Sequence, residues 1–170
     1  DYKMLNAKLQ DALNRQINAE LFSSYLYLSM VAYLEDRPLR GMAQWMRVQS
    51  SEETMHAMKI YDYVIERGGR VTLDKIEAPK TDWASPLELF QDAYAHEQKV
   101  TAMINDLMDL AIAEKDHASH DFLEWFVTEQ VEEESNASEI VEQLKMIGDE
   151  RLGLYMIDQK LGLRAPAASA

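Results

Sequence analysis

The chain has no cysteine. This excludes a disulfide scaffold and thiolate metal sites, and it fits a cytoplasmic protein. Proline and glycine are scarce, 4 and 6 residues in 170, so little interrupts helix. No apolar run approaches the roughly 20 residues needed to span a membrane, and nothing resembles a signal peptide. Basic residues are outnumbered, 17 against 30 acidic ones, which leaves a net charge of −13. Phosphate contacts need clusters of Lys and Arg, so nucleic acid is not an expected partner. Cations are compatible with this balance, although an acidic surface also serves solubility alone.

What is present favours one all-α domain. Apolar residues make up 47% of the chain, and its length suffices for a single core. A first helix is predicted over about residues 5–34, with Asp1, Tyr2 and Lys3 leading straight into it. Leu13, Ile17, Leu21, Ser24, Leu28 and Val31 recur along it at three- and four-residue steps and form one stripe. Glu20 falls at the edge of that stripe and Tyr27 on nearly the same face. Glu35-Asp36-Arg37-Pro38 is a short break, with Pro38 suited to a first helical turn. A second helix follows over about 39–67 and stops at Gly68-Gly69.

Residues 68–85 form the longest connection, with Arg70 to Leu73 expected to be extended. Fully stretched, the segment reaches about 60 Å. A helix of 28 residues is only about 42 Å long. The connection can therefore cross the whole bundle and start the third helix at the far end, whereas an up-down loop would leave most of its length unused. Ser85-Pro86-Leu87-Glu88 opens that third helix, about 86–114, with a capping Ser, a Pro at the first position and a Glu three after the cap. Glu97 sits within its apolar face of Leu89, Phe90, Ala93, Val100, Ile104, Leu107, Met108 and Ala111. A tight turn at Lys115-Asp116-His117 leads to a fourth helix, about 118–147, with Phe122, Phe126, Ile140, Val141 and Leu144 facing in. A fifth, short helix is expected over about 149–161, and 165–170 as a disordered tail beyond a domain of residues 1–164. The fold expected is a four-helix bundle with a long crossover between its second and third helices, plus a short fifth C-terminal helix.

The chain is organised around Glu52-Glu53-Thr54-Met55-His56. Glu53 and His56 stand three apart, so a carboxylate and an imidazole project from one helix face and can grip one metal ion. Alone, such a pair is common on exposed helix surfaces. A second copy of the layout raises its weight. Glu20, Glu53 and His56 map onto Glu97, Gln130 and Glu133 with a constant offset of 77 residues, and Glu52 maps onto Glu129. Flanking residues are not alike, so the repeat is one of architecture and ligands. Four carboxylates, an imidazole and an amide would then surround a common point inside the bundle. Unneutralised, those carboxylates repel one another. Two metal ions would neutralise them, and oxygen-rich coordination without sulfur suits iron or manganese, with zinc a competitor.

These residues carry a family resemblance. Asn18-Ala19-Glu20 with Tyr27, Glu52-Glu53-x-x-His56, Glu97 and Glu129-Gln130-x-Glu132-Glu133 resemble a ferritin of the non-haem bacterial and archaeal type, over nearly the whole chain. The resemblance implies ferroxidase activity with O2 or peroxide as oxidant, and iron storage in a homo-oligomeric shell, usually of 24 subunits. It implies a first Fe(II) at Glu20, Glu53 and His56, with Glu53 bridging to a second iron held by Glu97 and Glu133. Gln130 would hydrogen-bond water or an oxygen species there, and Tyr27 would donate a hydrogen bond or an electron. Glu52, Glu129 and Glu132 resemble a third iron site. Haem is not expected, because Thr54 stands where the haem-binding relatives carry Met after the bridging Glu. The alternatives implied are a DNA-protecting mini-ferritin and a di-iron oxidase acting on an organic substrate. His117 and His120 read as an exposed turn pair, His96 as a surface residue, Trp45 and Trp125 as packing residues, and the methionines as core filler.

Overall fold

The computed structural model describes residues 4–166, so Asp1, Tyr2 and Lys3 and the last four residues of the expected tail lie outside the described residues. Five helices follow in order: α1 (Ala7–Asp36), α2 (Arg40–Glu66), α3 (Pro86–Ala113), α4 (His117–Ile147) and α5 (Arg151–Leu161). The described residues contain no strand, and no helix among them is long and apolar enough to cross a membrane.

Helix starts follow local chemistry. The Asn6 side chain accepts from the Lys8 and Leu9 amides, so α1 begins two residues later than its apolar stripe suggests. Ser85 caps α3 through the Glu88 amide, with Pro86 as its first residue. Asp116 caps α4 through the Ser119 amide, which places His117 inside the helix rather than in the turn. Lys115 takes the turn itself, at a φ of 54°. Pro38 stays outside α2, whose cap is Leu39. α5 begins at Arg151, after the positive-φ Gly148.

The connection between α2 and α3 does cross the bundle. It lies along α1 from one end to the other. The Arg70 amide donates to Gln10, Asn14 pairs with Arg70 and Thr72, Asn18 donates to the Asp74 and Lys75 carbonyls, and Ser29 to the Lys80 carbonyl. Polar side chains of α1 thus satisfy a backbone that has no sheet or helix of its own. Residues 70–73 form no strand. Trp83 then buries its ring edge-on to Tyr33 and donates its indole N–H to Asp92, anchoring the start of α3.

Apolar side chains collect in two clusters. One, around Leu34, Met42, Phe90 and Leu144, lies near α5; the other, around Leu9, Leu13, Ile60, Ile104 and Leu123, fills the opposite end. α5 packs on α2 and α4 and closes one end of the bundle. The stripe on α1 needs one correction: Leu28 is 48% exposed, and Ser24 binds Ser50 of α2 instead of joining the core. Phe122 is only partly buried, although it stacks on Tyr63 at 3.9 Å.

Candidate metal centre

Between the two apolar clusters the interior turns acidic. Glu20 and Tyr27 come from α1, Glu53 and His56 from α2, Glu97 from α3, and Gln130 and Glu133 from α4; none is more than 5% exposed. One-turn spacings put Glu53 with His56 on α2 and Gln130 with Glu133 on α4, and two antiparallel hairpins bring these pairs level with Glu20 and Glu97 across the bundle axis.

Among the described residues, three groups could hold a metal ion, each with its potential ligand atoms within 4.8 Å of one another: Glu20, Glu53 and His56; Glu53, Glu97 and Glu133; and His56, Glu129 and Glu133. The first two share Glu53. Glu20 Oε2 and Glu53 Oε2 are buried without a hydrogen-bond partner, a costly state that a cation would relieve. His56 Nδ1 lies 3.3 Å from Glu53 Oε2, and its Nε2 lies 3.9 Å from Glu129 Oε1. Trp125 and Phe126 meet the imidazole edge-on and hold its plane. Burial lowers the His56 pKa, so its ring is neutral and offers a lone pair.

Burial pushes the Glu53 carboxyl well above the usual range, and the charges of Glu97 and Glu20 add to this. Glu97 is raised by burial too, against the hydrogen bonds from Tyr27 and Gln130. Glu133 is raised to about 9 by burial and then by Glu97, while the Gln49 hydrogen bond opposes the shift. Without cations these shifts favour the protonated forms of Glu53, Glu97 and Glu133, and a bound metal ion would compete with those protons.

Gln130 donates to Glu97 Oε2 at 3.2 Å, to the Glu97 carbonyl and to Thr101. Of the remaining acids, Glu129 joins the third group, and its pKa is raised by burial and by the nearby Glu132 and Glu52. Glu52 and Glu132 are in none of the three groups; Glu52 pairs with Arg164 at 2.9 Å, and Glu132 is exposed.

Sequence reasoning missed two amides. Gln16 donates to Glu20 Oε1 at 3.1 Å, and Gln49 donates to Glu53 Oε1 at 3.0 Å and to Glu133 Oε2 at 2.6 Å. Each stands four residues before its Glu, so the 33-residue spacing from Glu20 to Glu53 also links Gln16 to Gln49. The corresponding positions of the second hairpin are Ala93 and Phe126, so this pair of amides has no counterpart there. His96 is a further correction. It is partly buried, 2.7 Å from Ser23 Oγ and packed edge-on against Tyr27, because α1 covers it. Trp125 is 40% exposed rather than fully packed, with Lys59 3.5 Å above its ring.

Comparison with known proteins covers about 95% of the chain. The sequence model of the ferritin-like domain matches residues 10–147. A bacterial non-heme ferritin of Bacteroides fragilis is 48% identical over 161 residues, which cover 95% of this chain and 100% of that protein. One from Staphylococcus saprophyticus is 42% identical over 95% of this chain and 97% of its own. Among solved structures, the open pore ferritin of the archaeon Archaeoglobus fulgidus superposes with a TM-score of 0.94 at 51% identity, covering 95% of this chain and 99% of that one. A humanized archaeal ferritin gives 0.96 at 49% identity, over 96% and 99%. Bundle, crossover and buried acids therefore have one explanation: the chain belongs to the ferritin family, among its non-haem bacterial and archaeal members.

Proposed function

We propose that this protein stores and detoxifies iron: it oxidises Fe(II) to Fe(III) at the buried centre and keeps the product as ferric mineral within a shell of its own copies. The observation that carries this reading is the pair of carboxylate groups that share Glu53 inside the bundle. Glu20, Glu53 and His56 take one Fe(II), and Glu53 bridges to a second held with Glu97 and Glu133. Each Fe(II) surrenders one electron, so a pair supplies the two that take O2 to peroxide or peroxide to water. The protein holds the ions at a set spacing and supplies the compensating charge. Gln130 orients water or an oxygen species beside Glu97, and the Tyr27 hydroxyl donates a hydrogen bond or an electron.

Glu52, Glu129 and Glu132 form a third iron site in this reading. The place of Glu129 beside His56 and Glu133 supports it, while Glu52 Oε2 is held by Arg164. Assembly with further copies is supported by apolar side chains on and after α5, where Leu152, Tyr155, Met156 and Leu163 are exposed, and 24 is the number that the family resemblance implies. The cytoplasm is the assigned compartment, in keeping with a chain that lacks cysteine. A di-iron oxidase would need room for an organic substrate. The cavity beside Tyr27, Glu97 and Glu133 measures about 10 Å³, space for about one water at most. The ligand set inside one bundle, together with α5, speaks against a DNA-protecting mini-ferritin, and the net charge of −13 against nucleic acid as a partner.

The test is aerobic addition of Fe(II) to metal-free protein, followed by size-exclusion chromatography with iron and protein detected together. Iron far in excess of a pair per chain should co-elute with a large particle. Retention of only a pair per chain, without mineral, would move the function to an oxidase.

A further inference from the structure

Gln49 touches both hairpins at the centre, yet an amide can present either its oxygen or its nitrogen to a neighbour. Which end faces the carboxylates is settled from outside the bundle. Arg164, three residues beyond α5, reaches back to α2: its Nη1 donates to Gln49 Oε1 at 3.0 Å and to the Trp45 carbonyl at 3.1 Å, and its Nη2 donates to Glu52 Oε2 at 2.9 Å. Its guanidinium lies over the Trp45 ring, 4.4 Å from the centroid. A guanidinium has donors only and stays charged, so the Gln49 atom facing it must be the carbonyl oxygen. The Nε2 is thereby turned to Glu53 Oε1 and Glu133 Oε2, which come from different helices. Gln49 is 3% exposed, so bulk water has little access to either end.

We propose that Arg164 is a positioning residue for the metal centre: it locks the Gln49 amide so that one donor holds Glu53 and Glu133 together and leaves Glu53 Oε2 free to bind metal. The segment after α5 thus reports to a site to which it contributes no ligand. Outer hydrogen bonds of this kind orient ligating carboxylates, and their loss typically weakens metal binding by about 10–100-fold. The inference rests on the reading that these carboxylates take metal.

The experiment uses Co(II), whose visible absorption reports coordination geometry and which does not turn over with O2 as Fe(II) does. Metal-free protein is titrated as the unsubstituted chain, Arg164→Ala, Gln49→Ala and the double variant. Arg164→Ala should weaken Co(II) binding about tenfold and change the band shape. Gln49→Ala should do the same, and adding Arg164→Ala to it should cost less than a further twofold, because the route is already cut. Arg164→Lys should fall between, since a single ammonium keeps the charge without the fork. Equal losses from Arg164→Ala in both backgrounds would overturn the proposal, because Arg164 would then act through Glu52 or the docking of α5. Unchanged binding and spectrum in Arg164→Ala would overturn it as well. Failure of the unsubstituted chain to bind a pair of Co(II) ions would instead overturn the metal-centre reading, and this inference with it.

Discussion

The Tyr27 hydroxyl on α1 donates to Glu97 Oε1 on α3 at 2.5 Å, joining the two hairpins at the level of the candidate metal centre. Both side chains are buried, and burial, then Glu97 and Glu53, raise the Tyr27 pKa well above its ordinary value, so the phenol keeps its proton and remains a donor. Tyr27→Phe leaves that carboxylate oxygen without a donor. The metal-free protein should lose about 1–2 kcal/mol in chemical denaturation, and Fe(II) oxidation followed by absorbance should slow while the helices persist. A variant with unaltered oxidation would remove Tyr27 from the chemistry.

Glu53 is common to two of the ligand groups. Glu53→Ala should abolish rapid Fe(II) oxidation with the helical circular dichroism unchanged, since the variant also removes a carboxyl that is buried at a cost. Unaltered kinetics in stopped flow would refute the assignment of Glu53 as the shared ligand.

Acidity at the centre predicts an unusual pH dependence for the metal-free protein. Glu133 has a folded pKa of about 9, and Glu53 and Glu97 are raised in the same direction. Unfolded, a Glu titrates near ~4.3. Between these values the folded chain binds more protons than the unfolded one, so this contribution to stability is full below the unfolded pKa and is lost as pH rises toward about 9. Thermal unfolding at successive pH values should show Tm falling over that window, and addition of Zn(II) or Co(II) in weak buffer should release protons. A Tm that climbs through the window, or no proton release, would contradict it.

Asp116 shows the opposite sign. It caps α4 and takes a two-point contact from Arg67, 2.9 Å at each oxygen, and that hydrogen bonding holds its carboxyl below the usual range. Its stabilisation is present above the unfolded pKa and disappears as pH falls through the folded one. Asp116→Ala should cost about 3 kcal/mol, by loss of a cap and of the carboxylate partner of a half-buried guanidinium that keeps its contacts to Tyr63 and Ser119, and Asp116→Asn about half of that. Denaturant titration of the metal-free protein separates the two.

α5 is seated where side chains are absent. A Cβ on Gly41 would stand 1.7 Å from the Asp158 carbonyl oxygen, and Asp158 Oδ1 accepts from the Met42 amide at 2.8 Å, capping α2 from another helix. Gly41→Ala should displace α5, costing about 1–3 kcal/mol and accelerating hydrogen exchange in residues 151–161. Protection of α5 equal to that of the unsubstituted chain would show that the neighbouring backbone can yield.

Much of this was legible from one sequence because it depends on local spacing. Glu53 and His56 at three residues, and the shared 33 and 77 offsets, place ligands on faces whatever packs against them. The crossover was legible from length alone. His96 was not: its angular distance from Glu97 directs it off that face, and only the arrival of Ser23 and Phe22 on α1 covers it. Leu28 fails in the other direction, since periodicity identifies an apolar stripe without saying whether a neighbour covers its far edge.

Local interactions and chain length therefore fix the helices, the Ser85 cap and the crossing connection, while the proposed ligand positions rest on residue spacing and the family resemblance. Packing between helices decides which oxygens stay unpartnered, which carboxyls are shifted toward the protonated form, and that Arg164 orients Gln49 across 115 positions of chain. Those properties depend on distances and burial between helices, and no residue spacing encodes them.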